Sequence, residues 1–133
     1  MLGIVGSPRQ GGNTDILVDE ILSGAREAGA QVEKIMLGEL AIAPCQACYA
    51  CRKGGGCVQR DDMEDLLAKM KSSSVWVLGT PVYWWGPSAQ LKAFVEWLDQ
   101  SDRLLRVESV RFEKMPGAIL MKINVLGIVR KNA

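Results

Sequence analysis

The chain contains no histidine. Any four-ligand zinc site made by its side chains would therefore be all-cysteine. An excess of either charge is missing too: 16 Lys and Arg stand against 15 Asp and Glu, a net charge of +1. Both signs are scattered along the chain, which leaves neither a nucleic-acid footprint nor a basic membrane face. No apolar stretch reaches the about 20 residues of a membrane span. The N-terminus shows no basic segment followed by an apolar run and a cleavage site, so a cytoplasmic protein without a membrane partner is expected. With 133 residues and 48% hydrophobic content, a single domain over 1–133 can bury about two-thirds of its unfolded surface.

The first fourteen residues organise the rest. The apolar, β-branched run Leu2-Gly3-Ile4-Val5 stops at Gly6-Ser7-Pro8-Arg9-Gln10-Gly11-Gly12-Asn13-Thr14, and an amphipathic stretch begins at once. Strand, loop and helix start in that order put backbone N–H groups, the hydroxyls of Ser7 and Thr14, the Arg9 guanidinium and a helix dipole around one small volume. That volume suits a phosphate. Gly11-Gly12 alone would equally serve a turn that binds nothing; the flanking hydroxyls and the arginine point to anion chemistry. The loop lacks both the Gly-Lys-Ser/Thr ending of a nucleoside-triphosphate loop and the G-x-G-x-x-G of a dinucleotide fold, so a monophosphate cofactor is expected.

From Asn13 to Ala30, Leu17, Ile21, Ala25 and Ala28 follow helical spacing, flanked by Ile16, Val18 and Leu22, and Gly29 offers a stop. Gln31 to Leu37 reads as a short strand, which makes the opening a right-handed β-α-β unit with parallel strands and the class α/β. Asp61-Asp62 caps a helix over Met63 to Lys71 with Met63, Leu66, Leu67 and Met70 on one face. Val75 to Gly79 is a continuous apolar run of the kind found in a buried parallel strand. A further helix carries Leu91, Phe94, Val95 and Leu98 at core spacing.

Between the second strand and the second helix lies a long insertion from Gly38 to Arg60, Cys-rich over 41–60. It carries four cysteines, Cys45, Cys48, Cys51 and Cys57, within thirteen positions. In a cytosolic protein such a set belongs to metal or redox chemistry rather than to structural disulfides. The overlapping C-x-x-C-x-x-C run, with a glycine stretch that lets the chain fold back to a fourth thiolate, suits a 4Fe-4S cluster. An all-cysteine zinc site is second, since zinc knuckles more usually come as separated pairs. A redox dithiol leaves two cysteines over, and four unligated thiols are the plain alternative.

Directly after the central strand comes Thr80-Pro81-Val82-Tyr83-Trp84-Trp85-Gly86-Pro87-Ser88. Taken alone, such aromatics more often pack or meet a subunit. Ligands of open α/β sheets, however, sit outside the carboxyl ends of the strands, so this loop and the phosphate loop should line one crevice, one holding a tail and the other facing a planar ring.

These features together resemble the flavodoxin-like NADPH-dependent FMN reductases and, within them, the iron-sulfur flavoproteins. The resemblance rests on Gly6 to Arg9 and Gly12 to Thr14, on Cys45, Cys48, Cys51 and Cys57 followed by Asp61-Asp62-Met63, and on Gly79 to Gly86 with Lys92 and Phe94. It covers about residues 1 to 98. It implies a three-layer, flavodoxin-like open parallel sheet. It implies FMN, with its phosphate at Ser7, Arg9, Gly12, Asn13 and Thr14 and its isoalloxazine at Pro81, Val82, Tyr83, Trp84, Trp85 and Gly86. It also implies a homodimer or homotetramer with flavin at the subunit interface.

The chain departs from the family where members usually carry Asp-Arg after Lys-x-Phe: Glu96-Trp97 stands there, and a contact made by that arginine has no counterpart. Beyond the charged stretch Asp99 to Lys114, only Pro116 to Met121 reads as a fourth strand. The C-terminal helix and fifth parallel strand of the fold are then lacking, through truncation or completion by a partner.

The expected chemistry is electron transfer between a small-molecule or protein donor and an acceptor through FMN and a 4Fe-4S cluster, with NAD(P)H as a candidate donor that no motif marks. The alternative is a cluster-free NAD(P)H:flavin or quinone reductase. A simple electron-carrying flavodoxin with idle cysteines and a non-catalytic, all-cysteine zinc module are the remaining rivals.

Overall fold

Three short runs, two of them mainly apolar, pair side by side in parallel. In the computed structural model, which describes residues 1–54, 56–100, 107–113 and 124–131, they are β1 (Leu2–Val5), β2 (Glu33–Met36) and β3 (Val75–Pro81). The helices are α1 (Asn13–Glu27), α2 (Met63–Ser72) and α3 (Ala89–Gln100), with 3₁₀ turns at Leu37–Glu39 and Cys51–Lys53. Two further strands, β4 (Val107–Glu113) and β5 (Asn124–Lys131), complete a five-stranded sheet in the order β2-β1-β3-β5-β4. Among the described residues, no helix is long and apolar enough to cross a membrane.

Alternation along the strands sends side chains to opposite faces. Leu2, Ile4 and Trp76 join a core with Met63, Leu66, Leu67 and Met70 of α2 and Leu91, Phe94 and Trp97 of α3. On the other face Val5 and Val77 meet Val18 and Leu22 of α1. This is the three-layer α/β arrangement expected.

Helix boundaries follow their local signals. α1 ends before Gly29, whose φ of +86° is open to glycine without strain, and Ala30 N–H closes back onto Ala25 O at 2.9 Å. The buried stripe of α1 is turned by a residue from the expected one: Val18 and Leu22 are buried, Leu17 and Ile21 only half-buried, and Ala28 exposed. In α3, Val95 is 40% exposed and Trp97, 8% exposed, takes its place in the core. Rotating the helix toward the larger ring buries more apolar area than seating the valine would.

The C-terminal part differs from a uniformly parallel sheet. β5 runs antiparallel to both β3 and β4, so β4 is codirectional with β3 and the fifth strand fills the slot between them in the opposite sense. Only residues 114–123 separate β4 from β5, shorter than the dozen or more a parallel crossover needs. An antiparallel return is what that length permits. The expected strand over Pro116 to Met121 lies outside the described residues.

Candidate functional site

Two loops leave the carboxyl ends of β1 and β3, which are adjacent and in register, Val5 opposite Gly79. Their bases are joined. Gly6 N–H donates to Gly79 O at 2.6 Å. Ser88 Oγ donates to Gly6 O. Ser88 is fully buried and caps α3, its Oγ accepting the Leu91 N–H at 3.2 Å while its own N–H donates to Thr80 Oγ1 at 3.0 Å. The N-terminal loop and the Trp-rich loop therefore open at one rim of the sheet, as the sequence pattern requires.

Close approach at this rim depends on glycine. A Cβ on Gly79 would lie 2.6 Å from Val18 Cγ2 and 3.0 Å from Thr14 Cγ2, so any side chain there pushes against the first two turns of α1. Gly79→Ala is expected to lower stability by about 1–3 kcal/mol, the usual range for overpacking a tight contact. An unchanged urea midpoint would show that the helix can yield without loss.

Within the first loop, Ser7 is buried and its Oγ accepts the Arg9 N–H at 3.1 Å, which bends the chain back over itself. Gly11 is left-handed at φ +64°. Gly12 occupies the N-cap of α1 and no side chain caps the helix there, so the amide end of the helix faces the loop. Thr14 is buried, whereas Arg9 and Asn13 are exposed. This is a cation-bearing turn at an uncapped helix N-terminus, a chemistry that fits a phosphate.

The second loop is a tight hairpin. Tyr83 N–H donates to Gly86 O at 2.9 Å and Gly86 N–H to Tyr83 O at 3.0 Å. Trp84 and Trp85 between them have φ of +48° and +63°, the mirror-image turn that normally takes Asn or Gly. Two bulky residues are held there at a conformational penalty, a feature that clusters at functional positions. They are 95% and 94% exposed, Tyr83 is half-exposed and Pro81 is buried.

The cysteine loop is closed by a neck. Asp62 Oδ2 accepts from Ala41 N–H at 2.7 Å, Asp61 Oδ2 from Ala43 N–H at 3.0 Å, and Gln59 Nε2 donates to Pro44 O at 3.2 Å. Of the two expected caps, Asp61 Oδ1 does take the Met63 N–H at 3.0 Å. Asp62, at the N-cap itself, makes no capping bond and serves the neck instead. Cys45, Cys48, Cys51 and Cys57 are all thiols outside any disulfide, Cys57 packed partly on the core. Ala47 N–H lies 3.4 Å from Cys45 Sγ. Among the described residues, no three Cys, Asp or Glu side chains stand together closely enough to hold a metal; the expected convergence of the thiols on one face is not seen there.

A cleft of 590 Å³ opens along the outer edge of β2, lined by Glu33, Lys34, Glu39, Asp62, Asp65 and Lys69 among others. Carboxylates outnumber lysines in it, the wrong sign for a phosphate. The sequence reading missed Thr80, Ser88 and Asp15 as organisers of the rim. Ser88 had a signal, a hydroxyl residue one position before an amphipathic helix; Asp15, on a helix face, had none.

Parallel strands in the order β2-β1-β3 with helices on both faces are the arrangement of the flavodoxin-like class. Within that class, the family model described as NADPH-dependent FMN reductase matches residues 1–127, and the chain belongs to that family. It is 41% identical over 119 residues to an iron-sulfur flavoprotein of Methanocaldococcus jannaschii, covering 90% of this chain and 60% of the relative. An iron-sulfur flavoprotein of Methanosarcina thermophila is 36% identical over 118 residues, 89% of this chain and 60% of that one. One from Archaeoglobus fulgidus is 33% identical over 127 residues, 96% and 62% respectively. The chain thus spans about three-fifths of the length of these relatives. No solved structure matches it.

Proposed function

We propose that the chain is a redox flavoprotein that binds FMN and passes electrons between a reduced donor and an acceptor. The observation that carries this is the joint between Gly6 and Gly79, with Ser88 behind it, which supports one crevice flanked by both loops. In this reading Ser7, Arg9, Gly12, Asn13 and Thr14 hold the phosphate, and Pro81, Val82, Tyr83, Trp84, Trp85 and Gly86 the ring. Bound FMN supplies hydride acceptance and one-electron release. The protein's part is to orient it: Arg9 and the helix amides fix the charged tail, and the hairpin offers apolar faces that exclude water from the ring. NAD(P)H is the candidate donor in this reading, on the family's description as NADPH-dependent FMN reductase.

Cys45, Cys48, Cys51 and Cys57 would hold a 4Fe-4S cluster, which supplies a one-electron relay. The donor set fits in chemistry: four thiols outside any disulfide, on one loop closed by its neck, with the Ala47 N–H directed at Cys45 Sγ. The relatives named as iron-sulfur flavoproteins support it. We place the protein in the cytoplasm, where such thiols stay reduced. We further assign it a homodimer or homotetramer, on the exposure of Tyr83, Trp84 and Trp85.

The alternative reading is a cluster-free NAD(P)H:flavin or quinone reductase. Anaerobic purification with an absorption spectrum and iron, sulfide and zinc analysis decides. A flavin spectrum with about four iron and four sulfide per chain is expected. Flavin without metal selects the second reading, and a colourless protein with zinc defeats both.

A further inference from the structure

Asp15 is buried in the first turn of α1, and both its carboxylate oxygens are committed. Oδ2 accepts the Gly11 N–H at 2.8 Å, and Oδ1 accepts from Lys34 Nζ at 2.7 Å. The same ammonium reaches Asp19 Oδ2 at 2.8 Å. Lys34 stands on the edge strand β2, so one lysine ties the sheet edge to the helix and, through Asp15, to the left-handed glycine of the loop. Burial pushes the Asp15 carboxyl upward; the Lys34 hydrogen bond, the Gly11 amide and the Lys34 charge outweigh it and hold the group below its usual range. Hydrogen bonds to Asp15 and Asp19 hold Lys34 above its own, against the downward push of burial. Both partners stay ionised.

An ionised carboxylate one hydrogen bond away from an anion-binding turn repels the anion unless something cancels it. We propose that Asp15 and Lys34 are positioning residues for the phosphate loop: Asp15 fixes the Gly11 turn, and Lys34 neutralises Asp15 so that the loop accepts a phosphomonoester dianion. The pair then sets the preference for FMN over riboflavin. Neither side chain needs to touch the phosphate, since the effect passes through Gly11 and through the field. The inference rests on the phosphate-cradle reading above.

The test titrates the apo chain with FMN and with riboflavin by flavin fluorescence at two ionic strengths. Lys34→Gln is expected to lower FMN affinity about tenfold or more, most at low salt, with riboflavin affinity within about twofold of wild type. Asp15→Asn with Lys34→Gln is expected to regain most of the loss, because both charges go and the amide oxygen can still accept the Gly11 N–H. A merely structural role would weaken both flavins alike and would not be rescued by the double variant; that outcome overturns the inference, as does an unchanged FMN affinity in Lys34→Gln. A wild-type chain that binds the two flavins equally sinks the cradle reading itself.

Discussion

Arg9→Ala combined with Thr14→Ala is expected to weaken FMN binding roughly 10²- to 10⁴-fold. Hydrogen bonds to a charged group are worth on the order of 1.5–3 kcal/mol each, so two of them give about 3–6 kcal/mol. Arg9 is exposed and its charge screened, which places its share near the lower end. Thr14 is buried at the helix amides, where a phosphate loses water and the bond gains strength. Arg9 is exposed, so its truncation should move the thermal midpoint little, whereas Thr14 is buried with its methyl against Gly79 and its truncation should cost some stability besides the lost affinity. A fluorescence titration that finds wild-type affinity rules the cradle out.

Trp76→Ala should be the most destabilising single change, by about 3–5 kcal/mol. Trp76 is 2% exposed near the start of β3, packs in the cluster that α2 and α3 share, and donates its Nε1–H to Met70 O at 3.0 Å. Truncation opens a cavity and leaves that carbonyl without the indole. Domains of this size are stable by only about 5–15 kcal/mol, so a third or more of the margin would go. Urea unfolding measures it. Trp76→Phe, which keeps most of the volume, should lose distinctly less; equal losses in the two variants would mean that the hydrogen bond, not packing, is the larger part.

Short-range features were legible because their causes are short-range. The strand-loop-helix start at Leu2 to Thr14, the stop at Gly29, the α2 face of Met63, Leu66, Leu67 and Met70, and the strand after Ser74 each follow from neighbours within a turn or two. The placement of the two loops at one rim was legible as well, because parallel strands joined by crossover helices send their carboxyl ends the same way. What periodicity misjudged were contests between residues of one helix: Trp97 displaced Val95 from the core, and Val18 with Leu22 displaced Leu17 with Ile21. A helical wheel shows which residues share a side; the facing surface selects the few that are buried.

Residue order alone determined that this chain is α/β, that it carries a Gly-rich turn after its first strand, a cysteine loop and an aromatic turn, and which family it resembles, since each is written in consecutive residues. Tertiary structure decided the rest. It brought Gly6 within 2.6 Å of Gly79 and Lys34 within 2.7 Å of Asp15. It set Trp84 and Trp85 in a left-handed hairpin and reversed β5 between β3 and β4. Those outcomes depend on which surfaces meet across dozens of residues, and the energy of such a meeting belongs to no local stretch.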